Sequence, residues 1–436
     1  MLGHKKEQVS LTRNQKEAIG LLSIGTFLEY FDLMLYVHMA VLLNDLFFPE
    51  ADTRVATFYS ATAFCSTYVF RPIGALIFGW IGDTIGRKAT VIITTFLMSL
   101  CCLIMANLKT YAEIGITATV VITICRIAQG MSSMGELVGA QLYLTELVKI
   151  PQRYWVVASL TIFTTLGATA ALGIGTLVTS FGFDWRIAFW FGAAIAVVGA
   201  VARTNLRETP DFVNAKKRIK ETVERAGIDS DRLKSSPIWK EKVNKTTAFT
   251  LFFLQCGAPL WFYVAYVYCG NLLKSSFGYS AAQVIHQNFI VCATELVSIF
   301  MVTYLTYKIH PLKILKVRLI IFSFVALASP IILNNISNAT ELLLFQLFIV
   351  VFAPTTFPAS GVFYSRFPVL KRFTYNSFIY AISRALMFAV SSFGTIYLID
   401  YFNHWGLLFF IVPILIGYAF GVRHFKKLEM EAGSYS

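Results

Sequence analysis

The chain has 436 residues, 56% of them hydrophobic and 14% charged, with a mean hydropathy of +0.65 and a net charge of +13. Soluble domains carry about a quarter charged residues, so this composition excludes an ordinary soluble enzyme or binding domain and indicates an integral membrane protein. The seven cysteines all fall in apolar stretches, with neither C-x-x-C nor His–Cys spacing, which excludes a disulfide framework or zinc site and predicts buried, inert thiols.

Windows of about 20 apolar residues are long enough to cross a bilayer as helices. In chain order they predict twelve spans, at 18–43, 55–82, 89–108, 115–146, 155–180, 185–202, 246–272, 282–306, 312–334, 341–365, 373–400 and 404–422. The N-terminus opens like a signal peptide, but its apolar run is too long, carries acids and lacks an A-x-A-like site. It is expected to remain as the first helix. An even number of spans puts both termini on one side. Of the 37 Lys and Arg, 30 fall on that side and four on the other, so the positive-inside rule predicts cytoplasmic termini. The basic balance is then a topology signal, and no nucleic-acid partner is expected.

Residues 203–245 form the one long polar segment. Thr209-Pro210-Asp211 is a helix start, with a cap, a proline and an acid in the first turn, and AKKRIKETVERAG continues it as a basic linker helix on the membrane face. The segment divides the chain into an N-terminal half (1–202) and a C-terminal half (246–436), six spans each. Such halves commonly surround a site near the bilayer midplane. The internal repeat is weak: GWIGDTIGRK after the second span and YKIHPLKILK after the eighth share only basic character.

Charged side chains inside a membrane are costly unless paired or hydrated, so each is a candidate for function. GTFLEYFDLMLY (25–36) puts Glu29 and Asp32 three residues apart, on one face of the first helix. Arg71 lies twelve residues before Asp83, about 18 Å at helical rise. Arg126 and Glu136 flank the middle of the fourth span, Glu295 sits within the eighth and Arg384 within the eleventh. Two readings compete for these charges: ion pairs that fix helix packing, or a proton relay with an anion clamp in a central aqueous cavity. The second assigns proton coupling to Glu29, Asp32, Glu136 and Glu295. It assigns substrate binding to Arg71, Arg126 and Arg384, with Tyr36, Tyr263 and Tyr266.

Three histidines, His38, His286 and His404, lie near predicted external ends and read as interface residues. The cluster Trp261 to Tyr266 follows Gln255, Gly257 and the helix-breaking Pro259. It suits an interfacial aromatic belt or a cation–π cage for a quaternary ammonium.

The most specific string is Gly79 to Lys88, GWIGDTIGRK. Gly79 and Gly82 flatten one helix face for close approach, and Asp83 lies on that face at the rim. Gly86 permits a tight turn, and Arg87 and Lys88 are expected to anchor the loop in the cytosol. The set is a candidate latch between halves.

In this form the loop resembles the signature of the major facilitator superfamily. Arg126-Ile-Ala-Gln129-Gly130 is similar to that superfamily's R-x-x-Q-G pattern. GTFLEYFDLMLY, RPIGALIFGWIGDTIGRK, Gly135-Glu136-Leu-Val-Gly139-Ala140, Asp184-Trp185-Arg186-Ile187 and Arg207 to Phe212 resemble its metabolite:proton symporter branch, which includes proline/betaine, α-ketoglutarate, citrate and shikimate carriers. The resemblance implies an all-α integral membrane protein with twelve transmembrane helices in two six-helix halves. It further implies a monomer of the cytoplasmic (inner) membrane without cofactor or metal, whose partners are protons, a small-molecule substrate and the lipid bilayer. Its implied activity is proton-coupled uptake of a carboxylate-bearing or zwitterionic metabolite such as proline or betaine. The alternatives are a dicarboxylate or tricarboxylate symporter, or an exchanger or exporter of the same fold. Thr84 stands where the signature commonly has Arg, which weakens the latch. The fifth span, LGATAALGIG, lacks the antiporter's proline and favours symport. A non-transporting receptor would leave the mid-span charges unexplained. No Walker loop, G-x-S-x-G, H-E-x-x-H or Rossmann fingerprint is present, so no enzyme chemistry is expected and transport must draw on a gradient.

Overall fold

The computed structural model describes residues 8–48, 68–181, 184–204, 206–209, 213–214, 216–217 and 242–435. Within them, helices cover all twelve predicted spans. In chain order they are α1 (Arg13–Phe47), α2 (Arg71–Thr84), α3 (Arg87–Asn107), α4 (Ile116–Ser133, continuing through Met134–Val138 and Gly139–Leu147), α5 (Gln152–Phe181) and α6 (Arg186–Arg203). The second set is α7 (Lys245–Phe262, Tyr263–Tyr268, Cys269–Phe277), α8 (Ala281–Lys308), α9 (Pro311–Asn335), α10 (Ala339–Phe352, then Phe357–Ala359 and Ser360–Ser365), α11 (Val369–Phe402) and α12 (Leu408–Glu431). Among the described residues nine helices are long and apolar enough to cross a membrane. Most of the predicted linker helix, Cys65, and the first part of the second span lie outside the described residues, as do the side chains of Tyr36, His38 and Glu136.

Local chemistry sets the helix ends. Pro72 and Pro311 occupy first-turn positions, where a missing N–H leaves no bond unmade. Ser280 and Gln283 form a reciprocal capping box at the start of α8, and Asn338 caps α10. Gly86, at φ 149°, makes the turn between α2 and α3. Two features depart from uniform helices. Both α4 and α7 contain a π segment, Met134–Val138 and Tyr263–Tyr268. The predicted continuous span 341–365 is instead broken at 353–356, where Pro354 disfavours a helical residue before it. The carbonyl of Pro354 is taken up by the indole N–H of Trp261 on α7, at 3.1 Å. Irregular backbone at membrane depth is tolerated where protein satisfies it in this way.

Within the first six helices α1 packs on α5 and α3 on α6; within the second six α7 packs on α12 and α8 on α10. The two sets meet through α2 against α11 and α5 against α8. At the first of these interfaces the glycines act as expected. A Cβ on Gly79 would lie 2.7 Å from Thr374 Cα, and one on Gly82 would overlap the ring of Phe373. Gly79→Val should therefore destabilise the protein by about 1–3 kcal/mol through overpacking. Thermal unfolding in detergent checks this, and an unchanged midpoint would contradict the close approach.

Candidate functional site

A cavity of about 240 Å³ lies between the two sets of helices. Its walls come from α1, α2, α4 and α5 on one side and from α7 to α11 on the other, with the break in α10 forming part of the lining. Of the predicted substrate residues, Arg71, Arg384 and Tyr266 reach this cavity. The guanidinium of Arg71 lies 4.4 Å from the ring centre of Tyr68, and that of Arg384 lies 3.3 Å from Tyr380. Arg384 also donates to Gln255 Oε1 and to the Tyr380 carbonyl, both at 3.4 Å. Glu295 lines the cavity as well and accepts a 2.7 Å hydrogen bond from the Tyr266 hydroxyl. Tyr263 is not a lining residue; its hydroxyl pairs with Thr395 at 2.6 Å. Tyr30 and Tyr380 meet across the cavity, hydroxyl to hydroxyl, at 3.2 Å.

A third arginine of the cavity, Arg318, escapes sequence reasoning. It lies inside the predicted span 312–334 but counts among the bases of the preceding loop; α9 begins at Pro311 and carries Arg318 inward, 7% exposed. Its Nη2 donates to the Val351 carbonyl at 2.9 Å. A charged residue seven positions into a helix that starts with proline was the available signal.

Glu29, Asp32 and Arg126 sit elsewhere than expected: all three are buried, and none lines the cavity. Asp32 Oδ2 accepts from the Cys102 thiol at 2.9 Å, Cys102 Sγ accepts from Gln129 Nε2 at 3.4 Å, and Gln129 Oε1 accepts from Arg126 Nη1 at 3.0 Å. The first six helices thus enclose a polar chain from carboxylate to guanidinium. It gives Cys102 a polar partner where an inert thiol was predicted. Gly192 on α6 closes it, since a Cβ there would strike Asp32 Oδ1. The one-face spacing of Glu29 and Asp32 was legible, but not that the face turns into the half rather than toward the centre.

The latch lies where α2 turns into α3. Asp83 accepts from the backbone N–H groups of Phe373 and Thr374 on α11, at 3.0 and 2.8 Å. Arg87 and Lys88 were expected to anchor the loop in the cytosol; Arg87 is instead fully buried. It donates to Glu146 at the end of α4, 3.0 Å from Nη2 to Oε1, to Asp83 at 3.3 Å and to the Val369 carbonyl at 2.6 Å. Glu146 also accepts from Arg372 of α11 at 3.1 Å and from the Thr209 hydroxyl at 2.6 Å. Two carboxylates and two backbone carbonyls are what let a guanidinium leave solvent here. The backbone N–H groups of Arg87 and Lys88 go to Glu208, at 3.0 and 3.3 Å, which places an acid at the positive end of α3. Thr84 takes no part; its hydroxyl donates to the Trp80 carbonyl at 2.6 Å. His404 pairs with the Tyr268 hydroxyl at the opposite end, and His286 is exposed there.

A helical bundle that buries charge at a latch and around a central cavity, within a shell of exposed Phe, Ile, Leu and Trp side chains, is a multi-pass integral membrane protein. The chain matches the Major Facilitator Superfamily over residues 22–392 and belongs to that superfamily. Among curated relatives, the inner membrane metabolite transport protein YhjE of Escherichia coli (strain K12) is 34% identical over 234 residues, half of this chain and 52% of the relative. The proline/betaine transporter of Salmonella typhimurium is 33% identical over 204 residues, 45% of this chain and 41% of the relative. The alignments thus span about half the length of these relatives. Among solved structures, the proton:xylose symporter XylE bound to 6-bromo-6-deoxy-D-glucose superposes with a TM-score of 0.73 at 15% identity, covering 97% of both chains. FucP in the outward conformation superposes with a TM-score of 0.67 at 14% identity, over 95% of this chain and 99% of that one. At such identities these two share the fold, the twelve-helix arrangement in two halves.

Removing Glu146 leaves Arg87 and Arg372 buried without their shared counter-charge. Glu146→Ala should destabilise the protein by about 3–5 kcal/mol. Asp184→Asn, at the exposed Arg186–Asp184 pair, should cost less than about 1 kcal/mol. Denaturation of both variants in detergent checks the contrast; equal effects would contradict the latch as described.

Proposed function

We propose that this protein is a secondary active transporter that takes up a small carboxylate-bearing metabolite with protons. The observation that carries this reading is a cavity between two sets of helices, lined by arginines, with a charge latch joining the same two sets. The two halves, 1–202 and 246–436, rock against each other about that cavity, joined by the segment 203–245. With the halves joined at the latch, release requires that Asp83 let go of α11 and that Glu146 part from Arg372, while the opposite end closes.

The basic side carries the latch and both termini, so the positive-inside rule puts them in the cytoplasm, and the membrane is the inner one, as in the name of the Escherichia coli relative. The protein works as a monomer. Arg71 and Arg384 hold a substrate carboxylate, and Tyr266 helps position it. Two carboxylates are placed to carry protons: Asp32, in its chain to Arg126, and Glu295, on the cavity wall. Glu29, buried on the same helix as Asp32, and Glu136 extend the set. Asp32 is enclosed by α3 and α6 and is linked to Arg126 through Cys102 and Gln129. Its protonation would alter packing inside one half without touching substrate. Arg126, predicted as a clamp, then serves coupling rather than binding. Relatives named for proline and betaine transport fit the carboxylate requirement, since each of those compounds bears one.

Reconstituted protein should accumulate substrate when an inward pH gradient is imposed, and indifference to the gradient would sink proton coupling. Asp32→Asn should abolish that accumulation while counterflow into preloaded vesicles persists. Loss of both, in a protein that still melts normally, would move Asp32 from coupling to the transport step itself.

A further inference from the structure

We infer that the central cavity is built for a small organic dianion whose two anionic groups are held by arginines of opposite halves. This rests on the carboxylate-transport reading above and narrows its substrate class.

Charge is the first argument. Arg71, Arg318 and Arg384 line one cavity of about 240 Å³, whereas Glu295 is the one acid on its described walls and already accepts from Tyr266. Three positive charges against one leave the walls two charges positive at neutral pH. In a water-poor site, where the effective dielectric constant is far below that of water, such an excess favours a ligand of charge minus two. A zwitterion brings no net charge, and its ammonium group would face the same guanidinium groups.

Bonding capacity is the second. Nε and Nη2 of Arg71, and Nε and Nη1 of Arg318, have no hydrogen-bond partner among the described residues, although the side chains are only 3% and 7% exposed. Buried donors of this kind are normally satisfied. Both guanidinium groups present two N–H directions, the fork that matches a carboxylate or phosphate. Two of the cavity's aromatic faces are already in use, Tyr68 under Arg71 and Tyr380 under Arg384.

Placement is the third. Arg71 belongs to α2, in the first half, while Arg318 and Arg384 belong to α9 and α11, in the second. A monoanion can satisfy one wall. A dianion satisfies both at once and so ties the halves together when it is bound, which is what closure around substrate requires.

The test is calorimetric titration of the purified full-length protein in detergent with succinate, 2-oxoglutarate, glycerol 3-phosphate, acetate, proline and betaine. A dianion should bind at least about tenfold tighter than acetate or either zwitterion, and comparing glycerol 3-phosphate with the dicarboxylates identifies which anionic group is preferred. Arg318→Gln should weaken the dianion by about 10- to 100-fold, the range for a lost hydrogen bond to charge, and leave acetate binding closer to the unmodified value. The unmodified protein carries the first comparison, so misfolding of the variant cannot hide the answer. Proline or betaine binding tighter than every dianion would overturn the dianion assignment while sparing the carboxylate-transport reading. Absence of binding by all six compounds to protein with a normal melting transition would overturn both.

Discussion

The arrangement turns on where the buried guanidinium of Arg87 finds its negative charge. Fully buried, it draws on Glu146 and Asp83, and Glu146 serves Arg372 of the other half as well. One carboxylate between two arginines means that the halves are joined by a shared counter-ion as well as by apolar contact. Apolar contact is a weak device for holding helices together in a membrane, because lipid offers the same contact. An ionic joint is different: strong when closed and, once hydrated, inexpensive to open. The glycines of α2 serve this joint by letting the backbone of α11 come within reach of Asp83.

A division of labour between two polar regions follows from burial. The cavity holds positive charge from both halves and one acid on its wall. The chain from Asp32 to Arg126 lies within one half, and none of its residues lines the cavity. Anything bound in the cavity therefore senses Asp32 through helix positions, chiefly that of α1, which carries Asp32 on one face and Tyr30 and Leu33 on the cavity face.

Much of this was legible in the sequence, because hydrophobic length and charge placement are read directly from residue order. The twelve spans, the latch residues and the cavity positions of Arg71, Arg384 and Glu295 belong to that category. Arg318 did not, since it follows Lys313 and Lys316 at the start of its span and reads with them as a positive-inside loop charge. Glu146 was hidden in the same way, at the last residue of a predicted span. The direction of the Asp32 face depends on which helices pack beside α1, and spacing along one helix carries no information about its neighbours. The partner of Arg126 was equally out of reach, because Cys102 and Gln129 lie on different helices and neither residue type announces a proton or charge path. The break in α10 had a visible cause in Pro354, but hydropathy windows average over it.

Asp83 grips α11 through main-chain N–H groups, and Arg87 grips it through a main-chain carbonyl. Apart from the Arg372 side chain on Glu146, that side of the joint is written in the peptide backbone. Substitutions at Phe373, Thr374 or Val369, proline apart, leave those particular donors and acceptors in place, whereas α2 and α3 must supply particular side chains. Arg372 apart, the joint is mutationally one-sided: sequence drift is freer on the α11 face than on the face that supplies Asp83, Arg87 and Glu146.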